Sequence, residues 1–360
     1  MKPTTVDFEC NGTSLRPTII QNKASTMTSP GAVPSAWTLE QLEQRRVRYD
    51  DLVPCRNAFI DTRNPGSEDK ENFTIVGPGV SENPEQHVHI SEPHGFNIGA
   101  ARQPPHCVNS QHSHDTAEVF VVHSGEWTLN FGEHGELKLP AGPGAVASIP
   151  TDLFRGFSNV GAEEGFLWVA LGQDDPGRVL WAPHVFDMAS KFGLVLMADG
   201  SLADTARGEV APPQADIMPR TSAAQVAALA SPNPERLGKC MIGAEDMAKQ
   251  PEGLLSGADG FDERLLIGPG AQIDWPHGFT LSRVTFTATA EVPAYVHDQK
   301  EVWFVHSGDL ACVASGGEVQ LLTGDTMSVP ENLPRGWRAT AETIAFVVRG
   351  GDALPAVARA

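Results

Sequence analysis

The sequence predicts an all-β chain that carries one antiparallel β unit twice, with a short N-terminal helix and a partly helical linker. Three observations predict it. Glycine and proline number 35 and 28 in 360 residues, a supply of breakers that favours many short strands joined by turns. From about residue 86 the apolar residues alternate with polar ones in short runs. Segments near residue 93 also recur near residue 276.

Residues 1–35 are rich in Thr, Ser, Pro and Asn without sustained periodicity and read as a flexible N-terminal arm. A helix then starts at Thr38. Thr38 is an N-cap, Gln41 three residues later completes a capping box, and Trp37 and Leu42 are spaced as a hydrophobic staple. The helix is expected to run to about Tyr49. Turn signals follow at Asn64-Pro65-Gly66 and Gly77-Pro78-Gly79. Alternating runs at Gln86–Ile90, Phe96–Ala101, Glu118–His123, Glu126–Phe131, Ala145–Ile149 and Phe166–Leu171 are bounded by Gly, Pro and Asp clusters. Such a succession indicates an antiparallel sandwich or barrel. The stretch 172–258 differs. Val185–Phe192 reads as a short helix stopped by Gly193, and Ser222 with Gln225 opens a second, Ala-rich one. Strand patterns resume at about Leu265 and continue to Arg349. The expected organisation is an arm at 1–35, a first β domain at 36–171, a linker at 172–258 and a second β domain at 259–360.

The repeat is explicit. Pro93-His94-Gly95-Phe96 recurs as Pro276-His277-Gly278-Phe279, an offset of 183. The same offset maps Glu118-Val119 onto Glu301-Val302, and Val122-His123-Ser124-Gly125 onto Val305-His306-Ser307-Gly308. Over residues 93–125 there are 12 identities in 33 positions. The offset then becomes 180 and maps Gly144, Pro150 and Arg155 onto Gly324, Pro330 and Arg335, as a three-residue deletion in one hairpin would do.

Composition narrows the function. A formal charge of −19 argues against nucleic acid or an anionic membrane surface as a partner, since either needs a basic patch. No apolar stretch approaches the length of a spanning helix, and the opening residues lack the apolar segment of a secretory signal. The five cysteines are scattered, without a CxxC pair, and read as free thiols in a reducing cytoplasm. Phosphate loops of the dinucleotide or Walker type, a GxSxG elbow and an HExxH helix are all missing from the sequence.

The chemistry-bearing motif lies in the first copy. On a strand, His112 and His114 point to one face, and Glu118 has the same parity. Two imidazoles and a carboxylate converging inside a barrel suit a divalent first-row metal with open positions opposite. This is the ligand pattern of non-haem iron oxygenases, although zinc, manganese, nickel and copper accept the same donors.

The order HxH, three residues, Glu, six residues, Gly resembles the first motif of the cupin superfamily. Gly144, Pro150 and Asn159 fit the spacing of the second, with Arg155 at the position of its histidine. The chain thus resembles a bicupin over roughly 86–171 and 262–349. The resemblance implies two tandem double-stranded β-helix (jelly-roll) barrels. It also implies a three-ligand metal site at His112, His114 and Glu118, where typical members add a third histidine. A guanidinium cannot ligate a metal. Arg155 either holds a substrate carboxylate or enolate, as a catalytic residue, or pairs with Glu118 as a scaffold; Arg335 and Glu301 repeat that pair. In the second copy Tyr295 replaces His112 beside His297 and Glu301, a poor divalent-metal set because a phenol must lose a proton. That barrel is expected to be metal-free or weakly binding.

The repeat also weighs the other histidines. His94 and His277, kept in both copies, read as turn or strand-entry residues. His123 and His306 have the wrong parity for the carboxylates and read as packed between sheets. His106 reads as a turn histidine, and the His87/His89 pair lacks a carboxylate at ligand spacing. The expected function is that of a metal-dependent bicupin, an Fe(II) dioxygenase taking O2 and a small aromatic or enolisable carboxylate, with Phe120, Phe154 and Phe157 shaping the pocket. The alternatives are a redox-neutral lyase, isomerase or decarboxylase and a non-catalytic binding bicupin. Exposed sheet edges imply a homo-oligomer.

Overall fold

The computed structural model describes residues 37–359; the predicted arm at 1–35 lies outside them. Four sheets form two barrels. In the first, a seven-stranded sheet runs Met241–Ile242, Val146–Ile149, Glu118–Ser124, Gly165–Gly172, Phe96–Gln103, Glu71–Val76, Val88–Ile90. It faces a five-stranded sheet of Val179–Trp181, Val108–His114, Arg155–Asn159, Trp127–Phe131 and Leu137–Ala141. The second barrel repeats the plan. Its six-stranded sheet runs Arg46–Val47, Thr326–Val329, Glu301–Ser307, Thr343–Gly350, Phe279–Phe286, Phe261–Ile267, and a five-stranded sheet is centred on Arg335–Ala339. The predicted runs from Phe96 onward fall on strands. Gln86–Ile90 shortens to Val88–Ile90.

The helix predicted at Thr38 forms with its capping box, the Gln41 N–H on Thr38 Oγ1 at 3.2 Å and the Thr38 N–H on Gln41 Oε1 at 2.9 Å. It ends at Glu43 rather than Tyr49. The chain is drawn into extended backbone there, because Arg46–Val47 pairs with Thr326–Val329 of the second barrel. The linker reciprocates: Met241–Ile242 pairs with Val146–Ile149 of the first. Each large sheet therefore has one edge covered by a segment from outside its own repeat. The linker also forms the expected helices, at Pro183–Lys191 and Ala223–Ala228.

The repeated glycines are explained by close approach. Gly125 and Gly308 have φ of +86° and +84°. A Cβ at Gly125 would lie 2.6 Å from Gly165 Cα, and one at Gly308 would lie 2.3 Å from the Glu342 carbonyl oxygen. Any L side chain would have both strain and a clash.

The two large sheets pack against each other and share one apolar cluster, including Phe96, Val121 and Trp168 from the first and Phe279, Phe304 and Phe346 from the second. Trp168 stacks on Phe304 with centroids 5.1 Å apart. Approximate two-fold symmetry governs the polar contacts. His94 Nδ1–H donates to the Glu92 carbonyl at 2.6 Å, and His94 Nε2 accepts from the Ser328 hydroxyl at 2.6 Å. His277 does the same with the Trp275 carbonyl and Ser148, at 2.6 and 2.7 Å. Both histidines thus sit at strand entries, two residues before Phe96–Gln103 and Phe279–Phe286, as expected, and each reaches across to the other barrel.

His123 and His306 meet near the symmetry axis, with centroids 5.3 Å apart and Nδ1 atoms 3.4 Å apart, also as expected. Burial, then the neighbouring His306, lowers His123 to about 4. Burial, then Arg283, lowers His306 to about 4. Both pKa values lie below the unfolded reference of about 6.5, so acid is the destabilising direction. Stability contributed by the neutral pair is present above pH 6.5 and is lost as pH falls towards 4. Urea unfolding at pH 7 and pH 4.5 is expected to show a loss of a few kcal/mol, reduced in the H123N/H306N variant. An equal acid loss in the variant would assign the effect elsewhere.

Candidate metal centre

The strand Val108–His114, VNSQHSH, has no hydrophobic alternation. It is a strand because both of its edges are held. Arg155–Asn159 pairs on one side, with Arg155 opposite His112, and Val179–Trp181 on the other, with Trp181 opposite His112 and Val179 opposite His114. After His114 the chain turns at Asp115–Ala117 and enters the facing sheet at Glu118. The imidazoles thus come from one sheet and the carboxylate from the other.

The predicted ligands converge. His112, His114 and Glu118 are buried, and one ligand atom from each lies within 4.8 Å of the others. Among the described residues this is the one such cluster. His114 Nε2 lies 3.5 Å from Glu118 Oε1. His112 Nδ1–H donates to the Ser110 carbonyl at 2.8 Å, which leaves Nε2 with its lone pair free. Burial, followed by the Arg155 charge, pushes His112 well below its usual range and His114 in the same direction. Burial acts to raise Glu118, but Arg155 and the imidazoles outweigh it and hold the carboxyl below the usual range. At neutral pH the set is two neutral imidazoles and one carboxylate, the protonation state a cation requires. His114 Nδ1 is buried without a hydrogen-bond partner among the described residues. The donor set therefore fits a divalent metal.

Arg155 is 1% exposed. Its Nε and Nη2 donate to Glu118 Oε2 at 3.0 and 2.7 Å, and Nη1 reaches the His112 carbonyl at 3.4 Å. It does not line the cavity beside the ligands. Of the two readings of Arg155, the pair with Glu118 is the contact that these bonds form.

That cavity has a volume of about 70 Å3. Phe120 and Phe157 line it as expected; Phe154 does not, and packs with Trp181 and Val185 under the linker helix. An outer recess of about 190 Å3 shares Gly79, Val80, Ser81 and Val179 with it. Trp181 packs on His112, centroids 5.2 Å apart, and its Nε1–H donates to Glu82 Oε1 at 2.6 Å. Burial pushes Glu82 up to about 8. Sequence reading missed Trp181 and Glu82. Their signal was weak, since both lie in turn-rich stretches outside the repeat.

The matching cage of the second barrel is filled by protein. Glu301 Oε1 accepts from Tyr295 Oη at 2.9 Å and Arg335 Nε at 3.0 Å. Its Oε2 lies 3.1 Å from both Arg349 Nε and His297 Nε2. Burial raises the Tyr295 phenol well above its usual value, so it is a neutral donor there. The four described cysteines, Cys55, Cys107, Cys240 and Cys312, are buried free thiols. No helix among the described residues is long and apolar enough to cross a membrane.

The chain thus holds two jelly-roll barrels, with a His-His-Glu cluster in the first, the arrangement that the resemblance to bicupins implies. No protein-family model matches the chain, and no curated protein sequence does so either. Solved structures do. Oxalate decarboxylase from Bacillus subtilis matches with a TM-score of 0.53 at 12% identity, over 88% of this chain and 78% of that one. A salicylate 1,2-dioxygenase from Pseudoaminobacter salicylatoxidans, in adducts with gentisate, matches with a TM-score of 0.47 at 16% identity, over 72% and 69%. At 12% identity the likeness to the oxalate decarboxylase shows the fold alone.

Proposed function

We propose that the first barrel is the active site of a metal-dependent bicupin, with His112, His114 and Glu118 as ligands and Fe(II) as the metal, and that it is a dioxygenase of a small enolisable carboxylate. The convergence of two neutral imidazoles and one carboxylate on a cavity wall carries this reading. Iron held there by His112, His114 and Glu118 would supply redox chemistry towards O2 and a cationic centre for an anionic substrate. The protein's own contribution is positional. Arg155 keeps Glu118 ionised and fixes its Oε2, so that Oε1 faces the imidazoles. Phe120, Phe157 and Trp181 supply apolar wall. Among the described residues no Lys or Arg lines the cavity, so the substrate's charge is met at the ligand cluster itself.

One observation favours a redox-neutral decarboxylase or lyase. Glu82, with a pKa near 8, is a protonated carboxyl at neutral pH beside Trp181 and lines the outer recess, where a proton donor serves such chemistry. The two readings separate on oxygen. Natively purified protein is expected to carry about one metal per chain, and H112A well under half of that. With Fe(II) and a screen of small 2-oxo and 3-oxo acids, turnover is expected to consume O2. Anaerobic turnover with Zn(II) or Mn(II) would replace the dioxygenase reading, and full metal content in H112A would remove the site.

A further inference from the structure

Behind the ligand strand lies an ion pair that the proposed mechanism does not use. Lys70 is 1% exposed and Asp61 is 0% exposed, and Lys70 Nζ bonds Asp61 Oδ1. Both partners continue towards the ligands. Asp61 Oδ2 accepts the Ser110 N–H at 2.9 Å, and Lys70 Nζ donates to Asn109 Oδ1 at 3.0 Å. The Ser110 carbonyl is the acceptor of His112 Nδ1–H. The Asn109 amide nitrogen lies 3.5 Å from that same Nδ1. The neighbouring backbone is tied to the same segment, with the Val108 N–H on the Gly66 carbonyl at 2.7 Å and Ser67 Oγ donating to the Val108 carbonyl at 2.7 Å.

A fully buried ion pair is weak evidence for stability, because desolvating two charges offsets their attraction; apolar replacements are often neutral or stabilising. This pair serves something more specific. Its two arms end on Asn109 and Ser110, one dipeptide, which carries the carbonyl that selects the tautomer of His112. In the second barrel the equivalent of His112 is Tyr295, held instead by Trp337 Nε1–H at 3.0 Å and by Glu301. The barrel with the metal-ligand cluster has the device, and the barrel with the filled cage uses another.

We propose that Lys70 and Asp61 are positioning residues of the metal centre: they lock the Asn109–Ser110 backbone so that His112 keeps its proton on Nδ1 and presents Nε2 to the cation. This rests on the metal-site reading, and its first readout needs no metal. K70M alone leaves Asp61 buried without its partner and is expected to lower stability. D61N/K70M removes both charges and is expected to fold. In metal-free, 15N-histidine-labelled protein, with H112A to assign the signal, His112 is expected as the Nδ1–H tautomer in wild type and as a mixture in D61N/K70M. The Co(II) dissociation constant is expected to rise about 10- to 100-fold in D61N/K70M, the range typical when support of a metal-ligating histidine is removed. The Co(II) visible spectrum is expected to change with it. An unchanged tautomer with unchanged Co(II) affinity and spectrum would overturn the proposal and leave the pair a structural element. A tautomer change in a protein whose wild type takes up no Co(II) would uphold the positioning role and overturn the metal reading.

Discussion

Glu301→Gln is expected to lower stability by about 3–5 kcal/mol, the range for removing one partner from a buried charge pair. Glu301 is fully buried, and its carboxylate faces Tyr295, His297, Arg335 and Arg349. Burial alone acts to raise its pKa, yet Arg335, His297 and Arg349 hold it well below the usual carboxylate range. Glutamine keeps the shape but deletes the charge. Arg349 retains Glu263 Oε1 at 2.6 Å; Arg335 keeps only the His297 ring, the Leu333 carbonyl at 3.0 Å and the Tyr295 face. The pH dependence has a definite sign. A carboxyl whose folded pKa is depressed contributes stability above its unfolded value, near 4.3, and loses it as pH falls. Wild type and E301Q should therefore converge in acid. Urea unfolding at pH 7 measures the gap, and a loss under about 1 kcal/mol would mean the cage relaxes around a neutral residue, contrary to the filled-cage reading. Co(II) stoichiometry at the first barrel should be unchanged.

The sequence made the ligand triad and the duplication legible because both are short-range patterns. Strand parity alone brings His112, His114 and Glu118 to one side, even though the chain changes sheets between His114 and Glu118. The capping box at Thr38 is equally local. What failed to show was non-local. Periodicity cannot see that Arg46–Val47 leaves its helix to pair with a strand some 280 residues away, so the helix was read too long. The strand Val108–His114 buries polar side chains on the site side and lacks the alternation that marks a strand. Trp181 comes from what reads as linker, because its partner is that same polar strand. Nothing in the sequence marks Lys70 and Asp61, since charged residues are almost never fully buried unless paired and nothing local announces the pairing. Arg155 was undecided for a different reason. Its position in the motif was clear, but whether a guanidinium faces a carboxylate or a cavity depends on side-chain direction alone.

Arg155→Met is expected to make stability depend on metal. In metal-free protein the guanidinium is the one full positive charge bonded to Glu118, with Nε and Nη2 both on Oε2. Without it, Glu118 is a buried carboxylate beside two neutral imidazoles, a situation that costs about 3–5 kcal/mol or is relieved by taking up a proton. A divalent cation between Glu118, His112 and His114 restores the missing positive charge. The gain in unfolding free energy on adding saturating Zn(II) should thus be several kcal/mol larger in R155M than in wild type. The same linkage sets a pH effect. With Arg155 gone, the Glu118 pKa rises towards and beyond its reference value, so protons compete with metal at a higher pH than in wild type. A substrate-binding arginine predicts the reverse pattern: equal metal-induced stabilisation in both proteins, unchanged metal affinity, and a raised KM alone. Urea unfolding of each protein with and without Zn(II) distinguishes the two, and equal increments would return Arg155 to the substrate side of the cavity wall.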